Sequence, residues 1–290
     1  MRSLLYVPAH RERFVANAHE RGADAIILDL EDAVPLDAKD EARAALETAV
    51  PAVTRDGAAA FVRINAEPAR ADVDAEAGCR AGAFGLLVPK AKDPARLVRL
   101  ASLLARIEAE TGRAPTQLVP VLEDAGAVLD ARAIASATPR VYALLAGSED
   151  LATSMGAEPT PEVLHLPKLL VHLAAKAAGV RSLGLLRSVA DYGDIAAIEA
   201  AAKAARAFGF DGATCVHPAV VPVLNRAFAP SAEEVARARR LLAAYEEGTA
   251  RGLGAVAFEG SMVDKPVPER ARALLARDSQ SVRRGGAERA

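Results

Sequence analysis

The chain has 290 residues, of which 51% are hydrophobic, 26% charged and only 4% aromatic, enough aliphatic material for one large core without disulfides. With 36 basic against 38 acidic residues the formal net charge is -2, which gives a nucleic acid or an anionic membrane no electrostatic footing, so any anion site has to be local. Cys79 and Cys215 lack metal-ligand spacing, no apolar run approaches the roughly 18 to 20 residues of a membrane span, and the chain opens on a strand pattern without signal-peptide character, so a cytoplasmic protein is expected.

Short apolar runs rich in β-branched residues alternate with Ala/Leu/Arg/Glu segments of helical period, the pattern of a parallel α/β fold. Eight strands are predicted, in chain order Arg2–Pro8, Ala25–Glu31, Ala60–Asn65, Gly85–Lys90, Leu118–Glu123, Val141–Gly147, Val180–Leu186 and Gly212–His217, with helices such as Arg96–Thr111 and Ile195–Phe208 between them. Eight such units suit a (β/α)₈ TIM barrel over residues 1–230. The alternative, an open doubly wound sheet, lacks a Gly-x-Gly-x-x-Gly turn after the first strand. An amphipathic helix over Ala232–Glu247, a Gly-rich turn and a short helix around Glu269–Arg277 form a C-terminal helical extension, 231–277, and the polar, Arg/Gly-rich residues 278–290 are predicted to be disordered.

Active sites of such barrels form at the C-terminal strand ends, so polar residues that close an apolar strand are candidates. The second strand closes on Asp29-Leu30-Glu31-Asp32, the third on Arg63-Ile64-Asn65, the fourth on Pro89-Lys90, the fifth on Glu123, the sixth on Gly147-Ser148-Glu149-Asp150 and the eighth on His217-Pro218. Any one of these could be an exposed loop charge or a helix cap, but their convergence on one rim marks a site. Glu123 and Asp150 end neighbouring strands with no His or Cys beside them. Such a pair suits a hard cation, Mg²⁺, which leaves its other positions to water and substrate; the alternative is that both cap the helices that follow. Arg63, between Val62 and Ile64, must point into the barrel mouth or into a partner. There it can hold a keto-acid carboxylate or a developing oxyanion, or form a buried ion pair with Asp29 or Glu31, and these roles are compatible. His217 reads as a loop anchor, and the other histidines as packing or surface residues.

The segments Arg2-Ser3-Leu4-Leu5-Tyr6-Val7-Pro8, Asp29-Leu30-Glu31-Asp32-Ala33-Val34 with Lys39 and Arg43, Val62-Arg63-Ile64-Asn65, Val88-Pro89-Lys90, Gly147-Ser148-Glu149-Asp150-Leu151, Val216-His217-Pro218 and Phe228-Ala229-Pro230-Ser231 together resemble the HpcH/HpaI-type aldolase superfamily, in its citrate lyase β-subunit-like branch. The resemblance implies Mg²⁺ on Glu123 and Asp150, Arg63 at the substrate, and a substrate site completed by Glu31, Asp32, Gly147, Ser148 and Glu149. Arg13, Lys39, Arg43 and Lys90 are the candidate cations for the phosphates of coenzyme A, of which Lys39, Arg43 and Lys90 stand out through the matched motifs. The resemblance also implies that Asp264, in Gly260-Ser261-Met262-Val263-Asp264-Lys265-Pro266, is a proton donor carried by a C-terminal lid into a neighbouring subunit of a homo-oligomer, most simply a trimer.

The activity implied is a carbon–carbon lyase that splits a hydroxyacyl-CoA of the citryl-, malyl- or citramalyl-CoA type into an acyl-CoA and an α-keto acid. Two alternatives are an aldolase acting on a free 4-hydroxy-2-keto acid and a subunit of a multi-protein citrate lyase served by a carrier protein. The chain departs from the family pattern at Pro167-Lys168-Leu169, at Leu183-Gly184-Leu185-Leu186, where the strand-seven Asp is absent, and at His217-Pro218-Ala219-Val220. These positions border the mouth, so substrate preference is where the chain is expected to diverge.

Overall fold

The computed structural model describes residues 1–190 and 192–287, with side chains as far as Asp278. Its parallel strands are β1 (Ser3–Pro8), β2 (Ala25–Asp29), β3 (Ala59–Arg63), β4 (Gly85–Val88), β5 (Gln117–Leu122), β6 (Ala143–Ala146), β7 (Arg181–Leu183) and β8 (Ala213–Cys215). They hydrogen-bond in the order β7-β6-β5-β4-β3-β2-β1-β8, and a parallel bridge from Leu183 to Gly212 joins the two ends, so the sheet closes as the predicted (β/α)₈ barrel. Around it run α1 (Glu12–Ala16), α2 (Lys39–Ala44), α3 (Leu46–Val53), α4 (Pro68–Ala81), α5 (Pro94–Thr111), α6 (Ala125–Leu129), α7 (Ala131–Ala135), α8 (Ser148–Ser154), α9 (Pro161–Ala177), α10 (Ile195–Phe208) and α11 (Val221–Phe228).

Successive side chains of a strand face opposite ways, and that period of two sorts the core. Leu4, Ala25, Ile27, Phe61, Leu87, Val119, Ala143, Leu145 and Leu183 fill the barrel interior, while Leu5, Ile26, Leu28, Val62 and Leu86 belong to the larger cluster that includes the helices. Every one of these is at most 5% exposed, so the interior is a packed plug rather than a channel. Counting two residues on from Leu4, Ile27, Phe61 and Val121 of the plug reaches Tyr6, Asp29, Arg63 and Glu123, the inward positions at the top. The barrel therefore puts polar side chains at the mouth by continuing the alternation that fills its core. Most strands end short of their predicted polar residues, so Glu31, Asn65, Lys90, Glu123, Gly147 and His217 lie in the loops just beyond.

A second compact unit begins at Ala229. It holds α12 (Ala232–Ala250), an antiparallel hairpin of β9 (Val256–Phe258) and β10 (Ser261–Val263), and α13 (Pro266–Ala287). Ser231 and Glu234 close a capping box at the start of α12, and Ala238, Leu241, Val256, Val263 and Ala271 form a small core. The Gly-rich turn of the sequence reading is thus a hairpin, made possible by left-handed backbone at Gly260 and Glu259. Helix α13 continues through 278–287, a stretch expected to be disordered; residues 288–290 lie outside the described residues. Among the described residues no helix is long and apolar enough to cross a membrane.

Candidate active site

A cavity of about 450 Å³ opens at the C-terminal ends of the strands, lined on one side by Asp29, Asp32, Arg63, Glu123, Glu149 and Asp150. Arg63 occupies the inward position after Phe61. Its Nε donates to Asp29 Oδ1 at 2.7 Å and its Nη2 to Asp29 Oδ2 at 2.6 Å, a bidentate pair with a carboxylate that is 1% exposed. Its remaining Nη1 faces Asp32 at 3.0 Å and Glu31 at 3.1 Å, and the guanidinium lies 5.1 Å from the ring centroid of the half-buried Tyr6. Burial alone would lower its basicity, but the hydrogen bonds and charge of Asp29 outweigh it and raise it. The expected ion pair with Asp29 is present and fixes the plane of the fork, while Nη1 at the cavity side pairs with Asp32 and Glu31.

Glu123 follows β5, one residue before Asp124, whose side chain accepts the Ala127 N–H and caps α6. The capping role is thus taken by Asp124, which leaves Glu123 free to point inward. Its Oε2 accepts the Lys90 backbone N–H at 2.6 Å. Lys90 reaches that geometry in a left-handed conformation, φ 49°, uncommon for a residue with a side chain and held here by the carboxylate it serves. On the other side, a Cβ at Gly147 would lie 2.6 Å from Glu123 Cγ and 2.7 Å from Oε1, so only glycine fits beside it. Asp150, in the first turn of α8, has its Oδ2 3.6 Å from the Lys90 ammonium.

The electrostatics are those of crowded acids. Burial pushes the Glu123 carboxyl up to about 7, against the Lys90 N–H bond and with the Asp150 charge adding to the rise. Burial likewise lifts Glu31 to about 8, opposed by Arg63 and reinforced by Asp32 and Glu123, and the buried Glu31 Oε2, though 3.1 Å from Arg63 Nη1, accepts no aligned hydrogen bond. Acids so placed gain from a divalent cation. Among the described residues no group of three or more His, Cys, Asp or Glu side chains is shaped to hold one unaided, so Glu123 and Asp150 would supply two oxygen ligands and leave the rest to water and substrate, a donor set that fits Mg²⁺.

Of the other expected residues, Asp32, Gly147, Ser148 and Glu149 line the cavity, and Glu31 stands beside it on Arg63. Lys90 is at the site, but through its backbone N–H and its pairing with Asp150. Lys39 and Arg43 are corrections. The Lys39 ammonium is buried and donates to the carbonyls of Leu30 and Glu31 at 2.7 and 2.5 Å, where it braces the loop that presents Glu31. Arg43 binds Asp74 at 2.6 Å and Asp40 at 2.8 Å on the outer helices. Neither has its charge free for a phosphate. Arg13 is exposed on α1, and Asp264 is exposed between β10 and α13 in the second unit. His217 caps the turn after β8, accepting the Ala219 N–H, and stacks on Tyr192 with ring centroids 4.8 Å apart, the anchoring role expected of it.

Two further residues complete the site, one of them in the Pro167-Lys168-Leu169 segment that departs from the family pattern. Tyr6 forms a wall under Arg63, foreshadowed only by its inward parity on β1. Lys168, on α9, lines the cavity although its helix packs on the outside of the barrel. The arc of the cavity next to β7 and β8 is lined by Gly184, Leu185, Ser188, Val189, Ala190, Thr214 and Val216, uncharged apart from the buried Lys168, in contrast with the acidic arc from β2 to β6.

Comparison with known proteins agrees with this geometry. The profile of the HpcH/HpaI aldolase/citrate lyase family matches residues 2–218. The chain is 35% identical to a citrate lyase subunit beta-like protein of Deinococcus radiodurans, over 96% of this chain and 98% of that one. It is also 35% identical to a (3S)-malyl-CoA thioesterase of Cereibacter sphaeroides, over 95% of this chain and 94% of the other. Among solved structures, it superimposes on the protein CitE of Mycobacterium tuberculosis in complex with magnesium, acetoacetate and coenzyme A with a TM-score of 0.77 at 33% identity, covering 96% of this chain and 100% of that one.

Proposed function

We propose that this chain, which belongs to the HpcH/HpaI aldolase/citrate lyase family, is a Mg²⁺-dependent carbon–carbon lyase that cleaves a 3-hydroxyacyl-CoA bearing a carboxylate on the carbinol carbon. The observation that carries the reading is the inward Glu123 with Asp150 beside it, seated against Gly147 and facing an Arg63 whose fork is already oriented by Asp29. Magnesium on those two carboxylates supplies Lewis-acid polarisation of the substrate's hydroxyl and carboxylate oxygens.

The protein's own residues do the rest. Arg63 presents Nη1 to the oxyanion of the departing enolate in exchange for its contact with the exposed Asp32, and Asp29, on Nε and Nη2, keeps the guanidinium plane fixed as charge develops. Tyr6 closes the floor and keeps water from beneath the guanidinium. The hydroxyl proton passes to a carboxylate of the acidic arc, the C–C bond breaks with its electron pair passing to the thioester enolate, and the enolate carbon takes a proton from a carboxylic acid. We assign that acid to Asp264, delivered by the C-terminal unit of a neighbouring subunit in a homo-oligomer, with a trimer as the simplest assembly. Arg13 and Lys90 remain as cations for the coenzyme A phosphates, and the compartment we assign is the cytoplasm.

The largely apolar arc at β7 and β8 favours a keto-acid product whose substituent is hydrogen or methyl, because a second carboxylate there would lose its hydration and meet only the Lys168 ammonium, already bonded to three oxygens. Malyl- and citramalyl-CoA are therefore the preferred substrates over citryl-CoA. The test is a panel of the three thioesters with Mg²⁺, following keto acid, acetyl-CoA and free thiol together, since one relative is named a thioesterase. Keto acid and acetyl-CoA should appear in equal amounts without free thiol. Thiol release alone would make the protein a hydrolase. Turnover of a free 4-hydroxy-2-keto acid in place of the thioesters would make it an aldolase, and activity only with an acyl carrier protein would make it a lyase subunit.

A further inference from the structure

On α9 the buried positions include Leu164, Lys168, Val171 and Ala175, spaced four, three and four apart, so Lys168 stands on the helix's apolar stripe, where packing alone asks for a Leu or Met. It is 3% exposed. Its Nζ sits 2.8 Å from each of three oxygens: Ser148 Oγ at the first residue of α8, and the main-chain carbonyls of Leu185 and Arg187 in the loop after β7. Burial drives the ammonium down to about 7, with the Glu149 charge opposing the fall. A buried amine is costly, and replacing such groups by apolar ones of similar volume is often neutral or stabilising, so the folding of the barrel does not by itself account for Lys168.

Its partners do. One is on the helix that carries Glu149 and Asp150; the other two open the loop whose Ser188, Val189 and Ala190 line the cavity. A second tie runs in parallel, from the Ser188 hydroxyl to Glu149. The loop after β7 and the start of α8 are thus fastened to each other from below by Lys168 and from above by Ser188.

We propose that Lys168 is a positioning residue that locks the loop after β7 onto the helix bearing Asp150, so that the largely apolar wall of the cavity and its acidic wall keep a fixed separation. Its ammonium has three donors and meets three acceptors, so no hydrogen remains unassigned and the amine is not offered to substrate. This rests on the lyase reading above for its kinetic arm only; its structural arm does not.

The experiment compares Lys168→Met with the parent by amide hydrogen exchange in metal-free protein and by steady-state kinetics on citramalyl-CoA. Amides of Leu186 to Ala190 should exchange about tenfold faster in the variant while β1 to β3 keep their protection, as expected of a local opening. The KM should rise about fivefold at little-changed kcat, the signature of lost uniform binding, and Lys168→Arg should recover part of both. Unchanged loop exchange, or a loss of protection spread over the whole barrel, overturns the proposal. If Lys168→Met does not fold, Lys168→Gln is judged by the same criteria, and a Gln variant that also fails to fold makes Lys168 a folding residue and overturns it. A parent inactive on every thioester, with the loop opening as described, would sink the lyase reading and leave the lock standing.

Discussion

Replacing Gly147 with alanine isolates the metal pair from the stability of the barrel. Gly147 has an ordinary φ of -73°, so the backbone accepts a side chain without strain. The obstacle is Glu123: the new methyl would sit 2.6 Å from its Cγ and 2.7 Å from Oε1, roughly 0.8 Å inside the distance at which carbons normally touch. The Lys90 N–H and the packed strand ends leave the methyl little room, so the carboxylate must swing away by about that amount. A displacement of this order in a reacting group can cost ~10²-fold in turnover, whereas overpacking one methyl at the rim of a cavity costs stability only about 1 kcal/mol. Calorimetric Mg²⁺ titration, kcat and Tm should be measured on one preparation of the variant. Weakened Mg²⁺ binding and a collapse of kcat at near-parental Tm are expected. If Gly147→Ala binds Mg²⁺ and turns over like the parent, then Glu123 is not held where the chemistry needs it and the assignment of the metal pair is wrong.

Arg63→Lys keeps the charge but loses the fork on Asp29, so kcat/KM should fall by about two orders of magnitude and stability by about 1–3 kcal/mol; a variant with parental Tm and parental kinetics would remove both roles from Arg63. Glu31 carries a pH signature. Between 4.5 and about 8 the fold retains a proton on Glu31 that the unfolded chain has released, so stability from this group is highest at the acid end and declines as pH rises to about 8. In metal-free protein the Tm of the parent should therefore drop relative to Glu31→Gln across that window, and parallel Tm curves would refute the assignment. For Asp264, mixing inactive Glu123→Gln with inactive Asp264→Asn under subunit exchange should restore partial activity. Verified hetero-oligomers that stay inactive exclude delivery between subunits, and a fully active Asp264→Asn excludes the residue altogether.

The sequence was most informative where a physical rule links position to environment. Glu123 and Arg63 could be picked out because a charge that closes an apolar strand has to face the barrel mouth, and the structure adds only what holds them there. Strand ends were overestimated for the same reason, since apolar alternation runs on through the polar residue that terminates pairing, as at Glu31 and Gly147. Lys39 and Arg43 were misread because a motif shows that a cation is present without showing which acceptor takes its charge. Lys168 was legible in principle: a lysine in phase with Leu164, Val171 and Ala175 contradicts its own helix pattern, and such contradictions mark function more often than the strand-end charges that draw attention first.

The barrel is unevenly knit. Strands β1 and β2 share five registered pairs, as do β2 and β3, whereas β7 meets β8 through a single bridge, Leu183 to Gly212. Arg63 and Asp29 stand on the tightly laced side, and the largely apolar arc of the cavity stands on the seam. Substitutions on the strands of the seam disturb few strand-to-strand hydrogen bonds, so a lineage can exchange residues there, and with them the acids it accepts, while the machinery opposite stays in register. Evolvability in this barrel is thus spatially confined: new substrate preference can arise at β7 and β8 without the chain first passing through an inactive or unfolded ancestor.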